Sequence, residues 1–175
     1  CQDYVPGMEG SGLMNVAVAS GEVPKVMDDV CDDIPNPSVE IAKSVVSGPA
    51  LTGTPNQYQI TYAIDITNAS GDTAYYNLSD TLLYGAGATV NTVSVAYGTG
   101  TDGLNTAVNG SFNGGGLTTE DYNIVSRERI LDGTADQFLV TVVFTIDQSE
   151  ITGGSDVCQD YVPGMEGSGL MNVAV

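Results

Sequence analysis

From Ser38 to Ile146 the apolar residues fall on every second position in one run after another. Val39, Ile41, Lys43 and Val45 share a phase, and Tyr58, Ile60, Tyr62, Ile64 and Ile66 alternate strictly with polar or small residues. Tyr76 and Leu78 share an inward phase within Ala74 to Thr81, and Val93, Val95 and Tyr97 do so within Thr89 to Tyr97. Ile124 to Leu131 is a shorter apolar piece, and Phe138, Val140, Val142, Phe144 and Ile146 close the series. Strand side chains point to opposite faces in turn, so each run predicts a half-buried β-strand. Turn-forming Gly, Asn, Asp and Pro lie between the runs, and no run has helical spacing. About seven strands so spaced predict an all-β fold, an antiparallel immunoglobulin-like β-sandwich.

A second pattern organises the chain. The segment CQDYVPGMEGSGLMNVAV, Cys1 to Val18, returns unchanged as Cys158 to Val175. An identical segment of that length is a repeat, and its spacing is that of a domain with its linker. The expected organisation is a linker over 1–33, a sandwich over 34–157, and the opening of the next repeat over 158–175, cut from a tandem array. Within the linker, Leu13 to Val18 is one short alternating strip. Met14, Val16 and Val18 form its large apolar face, and Asn15 and Ala17 its small or polar one. A lone strand has unpaired backbone groups and a face to hide. The strip is therefore expected to add to the sheet edge of an adjacent repeat, with Leu13, Met14, Val16 and Val18 as the inter-repeat contact.

Composition narrows the function. The formal charge is −18, with only four Lys and Arg, no His and no Trp. So few cations argue against nucleic acid and against anionic lipid as partners. No stretch is long and apolar enough to predict insertion of this segment in a membrane. Nothing brings a base, a nucleophile and oxyanion donors together, so the chain is not expected to be an enzyme, and no cofactor is expected.

Two cysteines per repeat read as a disulfide in an oxidising, extracellular setting. With an odd number of strands Cys31 and Cys158 sit at opposite poles, beyond the reach of a bridge, which favours Cys1 with Cys31. Cys158 is the equivalent of Cys1. Asp28, Asp29, Asp32, Asp33 and Asp156 gather at the junctions and are candidate ligands for Ca2+, although no Asp-x-Asp-x-Asp-Gly loop is present. Asn68, Asn77 and Asn109 begin glycosylation sequons. Lys43, in phase with apolar neighbours, raises the chemistry of an isopeptide bond. The inward face of the closing strand offers only Phe138, Val140, Val142, Phe144 and Ile146 as partners. Lacking an acceptor, Lys43 is expected to extend its ammonium to water at a sheet edge.

The stretches SVEIAKS (Ser38 to Ser44), YQITYAIDITN (Tyr58 to Asn68) and NLSDTL (Asn77 to Leu82) resemble the DUF11 repeat family. Phe112-Asn113-Gly114 and the run from Phe138 to Val142 fit the second half of its pattern. The resemblance covers roughly 37–147. It implies an Ig-like fold in large prokaryotic surface proteins built of tandem copies, and it brings no catalytic residues. The expected function is a structural unit of an extracellular fibre, filament or stalk, whose partners are copies of the same repeat. The alternative is an adhesin repeat whose loops, among them the glycine-rich Gly98 to Gly116, bind a cell-surface or glycan target.

Overall fold

A computed structural model describes residues 13–19, 26–32, 37–69, 71–85, 87–99, 105–115, 121–149 and 170–175. The chain divides into two units, Cys1–Asn36 and Pro37–Val175. In the first, β1 (Leu13–Ala19) pairs antiparallel with β2 (Val26–Asp32), Met14 opposite Cys31 and Val16 opposite Asp29.

The second unit holds β3 (Val39–Leu51), β4 (Gln57–Asn68), β5 (Ala74–Tyr84), β6 (Ala88–Tyr97), β7 (Asn123–Ile130), β8 (Thr134–Ile146) and β9 (Leu170–Ala174). They form one sheet of order β3-β4-β8-β6 and another of order β7-β5-β9, and each of these pairings is antiparallel. Among the described residues the fold is all-β with no helix, an arrangement consistent with a β-sandwich.

The alternation dictates the core. Ile60, Tyr62 and Ile64 on β4 stand opposite Val142, Val140 and Phe138 on β8, and all six are buried. Leu78 and Leu82 of β5 and Ile124, Val125 and Ile130 of β7 join them in one hydrophobic cluster, so the two sheets share a core. Phe144 anchors one end, stacked on Tyr58 and edge-on to Tyr84 at 5.4 Å between centroids. Such aromatic pairs add roughly 0.5–1.5 kcal/mol beyond their buried area.

Two departures from the simple alternation bear on the site, one in β7 and one in β3. In β7 the backbone of Arg127 takes a positive φ of 53, its N–H donates to Asn77 Oδ1 at 2.8 Å, and the register against β5 shifts there. This bulge changes the strand's phase and brings Glu128 inward. In β3, Val39, Ile41, Lys43 and Val45 lie opposite the buried Asn68, Ile66, Ile64 and Tyr62, and so on the core side. Yet the three apolar residues of that set are 38–57% exposed. β3 is an edge strand, and only the long side chain of Lys43 reaches cover.

Candidate functional site

The site is the edge of β5 on which the second copy of the repeated segment lies. Asp80, Thr81, Leu82, Leu83 and Tyr84 pair with Ala174, Val173, Asn172, Met171 and Leu170. The ladder continues past β9, where Ser79 and Val175 exchange backbone hydrogen bonds at 2.8 and 2.9 Å. Leu170 and Ala174 pack on the core, and Tyr62 Oη donates to the Leu170 carbonyl at 3.0 Å.

The phase is the reverse of the one the apolar strip suggests. Leu170, Asn172 and Ala174, the counterparts of Leu13, Asn15 and Ala17, lie on the core side. Asn172 explains the preference. It stands opposite Leu82, and its Nδ2 donates to Asp80 Oδ2 at 3.0 Å. Asp80 is completely buried and follows Leu78 in the inward phase of β5. A buried carboxylate without donors costs several kcal/mol, and this strand phase supplies one.

The other partner of Asp80 is Lys43, whose Nζ contacts Asp80 Oδ1. The Lys43 side chain is only 16% exposed, with Nζ 5.4 Å from the centre of the Tyr62 ring. The expectation that it extends to water is corrected: a buried counter-charge across the sandwich outweighs hydration at the edge. Burial pushes the Lys43 amine below its ordinary value against the pull of Asp80. Burial likewise raises the Asp80 carboxyl, opposed by Lys43, Asn172 and the Thr81 backbone. Asn172 Oδ1 is buried and has no hydrogen-bond partner. Three strands thus bring an amine, a carboxyl and a carboxamide together, with the carboxyl touching each of the other two.

A second buried acidic group escaped the sequence reading. Glu128 and Asp136 are fully buried. Tyr76 Oη donates to Asp136 Oδ2 at 2.7 Å, and the Thr106 N–H donates to Glu128 Oε2 at 3.0 Å. Asp136 lies opposite Ile66 in the inward phase of β8, a signal that was legible. Glu128 is turned in by the bulge, which no periodicity announces.

Of the other sequence candidates, Cys31, Asp28, Asp29 and Asp32 lie on β2. Cys1, Cys158, Asp33 and Asp156 fall outside the described residues. Leu13, Met14, Val16 and Val18 form part of β1, paired with β2. Asn68 is buried with Nδ2 donating to the Asp72 and Ile130 carbonyls. Asn109 Nδ2 is engaged by Asp121 and the Asn123 carbonyl. Asn77 is exposed and accepts the Arg127 N–H. Among the described residues no helix is long and apolar enough to cross a membrane. Comparison with family models, with curated proteins and with solved structures finds no match to this chain.

Proposed function

We propose that this chain is a structural repeat of an extracellular fibre or stalk, an Ig-like sandwich completed by a strand from the repeat that follows it. One observation carries the reading: the recurring segment, in its second copy, lies as β9 on the open edge of β5 and packs Leu170 and Ala174 on the core. A joint made from the recurring segment gives every junction of an array the same geometry. β-Strand addition supplies affinity through main-chain bonds and selectivity through alternate side chains, here Leu170 and Asn172. The charge of −18 keeps such a polymer soluble and discourages lateral clumping. The resemblance of 37–147 to DUF11 repeats accords with tandem copies at a prokaryotic cell surface.

The test is complementation in trans. A chain ending at Val157 should melt lower than the full chain and recover stability on adding a peptide of sequence 158–175. A peptide in which Asn172 and Leu170 are both replaced by Asp should fail. A truncated chain that ignores the wild-type peptide would reject strand addition as the joint.

A further inference from the structure

We propose that Lys43 and Asn172 are joined by an isopeptide bond between Nζ and Cγ, formed by the chain itself with Asp80 as the catalytic residue. The three residues come from β3, β5 and β9, and nothing in local sequence requires them to meet. Asp80 stands between the two reactants and uses a different oxygen for each, Oδ1 for Lys43 Nζ and Oδ2 for Asn172 Nδ2. An ion pair alone would not need the amide, and a hydrogen-bonded amide alone would not leave its Oδ1 buried and unpartnered. Asp80 is wholly buried, and the Tyr62 ring lies beside the amine.

The chemistry balances without any co-reactant. Proton transfer from the Lys43 ammonium to the Asp80 carboxylate within their contact gives the neutral amine and the carboxylic acid. Burial favours both forms, lowering the amine and raising the carboxyl. The Nζ lone pair attacks Asn172 Cγ, the Nζ–Cγ bond forms, and the carbonyl electron pair moves onto Oδ1. Asp80 accepts a proton from Nζ through one oxygen and delivers its own to Nδ2 through the other. The Oδ1 electron pair re-forms the carbonyl, the Cγ–Nδ2 bond breaks, and ammonia leaves. The product is a secondary amide, and Asp80 ends as the acid it was at the start. A buried acid that exchanges protons with both nucleophile and leaving group is acting as general acid and base, and a desolvated lysine is an activated nucleophile.

The bond lies within this chain and does not require the array. Under the proposed array it would fasten each sandwich covalently to the strand supplied by the next repeat, so that the joint could not be pulled open by unzipping β9.

The intact mass of the full chain, denatured and reduced, should fall short of the sequence mass by one ammonia. Trypsin should leave the Lys43–Ser44 bond uncut and yield 26–127 linked to 130–175, with fragmentation placing the branch at Lys43 and Asn172. Asp80→Asn should retain the hydrogen-exchange protection of 170–174 yet show the linear mass, as should Lys43→Arg. A linear wild-type mass, with Lys43 and Asn172 in separate peptides, overturns the proposal. So does the loss of one water with the branch at Asp80. If Asp80→Asn forms the bond as fully as the wild type, the catalytic assignment is overturned. Because the wild-type mass decides the main point, a variant that fails to fold does not protect the proposal. A linear chain with β9 still protected from exchange would reject the bond and leave strand addition standing.

Discussion

The two copies of the recurring segment have one sequence and two partners. Leu13–Ala19 pairs with the acid-bearing β2 close by in the chain, whereas Leu170–Ala174 pairs with β5, on an edge of the three-stranded sheet. Strand formation is thus a property of the segment, and the choice of partner is a property of its surroundings. The second copy also acquires specific chemistry. Asn172 meets Asp80, while its twin Asn15 stands opposite Val30. A strand has two edges, so the two pairings need not exclude one another in a longer array.

Removing each copy should give the largest contrast. Deleting 170–175 takes away a ladder of backbone bonds and the packing of Leu170 and Ala174. The unit Pro37–Val175 should lose about 3 kcal/mol, less the ordering cost no longer incurred. Deleting 13–19, which lies in the other unit, should leave the melting of that sandwich unchanged. Differential scanning calorimetry of the two deletions makes the comparison, and equal losses would break it.

A smaller difference is expected from single side chains. Leu170→Ala removes a partly buried residue packed on the core and should cost the sandwich about 2 kcal/mol. Leu13→Ala should shift the sandwich transition by less than about 0.5 kcal/mol, the ordinary range for a change remote from the unit measured. Chemical denaturation followed by tyrosine fluorescence reads both.

What was legible before the structure follows the same division. Strands with one buried face announced themselves: the phases of Tyr58 to Ile66 and of Phe138 to Phe144 are those that fill the core. Three things were not legible. Hydrophobicity assigned Leu13, Met14, Val16 and Val18 to the contact, and Leu170, the counterpart of Leu13, packs on the core, but Asn172 was passed over because its worth depends on an acid 92 positions away. The partners of Lys43 do not lie on the closing strand: the carboxylate is on β5 and the amide is in the recurring segment, both remote in sequence. Glu128 was hidden by a bulge, and a backbone irregularity leaves no trace in a period-two pattern.

The paired asparagines sharpen the contrast further. Asn172→Ala leaves Asp80 buried without its amide donor and should cost about 1–2 kcal/mol through the hydrogen bond alone, with any covalent link an addition to that. Asn15→Ala should be neutral for the sandwich. Because the two substitutions are chemically the same, any difference belongs to the surroundings of β9. Thermal melts of the two variants showing equal shifts would mean that the contact with Asp80 contributes nothing.

The smallest expected difference is none at all, and it tests whether β9 acts locally. Away from Asp80, Tyr76 and Tyr97 lie beside Glu128 and Asp136. Burial first, and then these acids, push both phenols up, Tyr97 to about 12 and Tyr76 further. The unfolded chain releases these protons near the ordinary value of 10.0, while the folded chain holds them. The unfolded state is therefore favoured as pH rises from 10.0 through about 12, and stability is lost across that window. The slope of that loss should be the same with and without residues 170–175, because β9 contacts β5 at Ser79 to Tyr84 and the two phenols lie elsewhere. Urea midpoints of the full and shortened chains, measured between about pH 9 and pH 12, should run parallel, offset by the stability that β9 contributes. Converging curves would show that the acidic group and the β5 edge are coupled through the shared core, and that the added strand organises the whole sandwich.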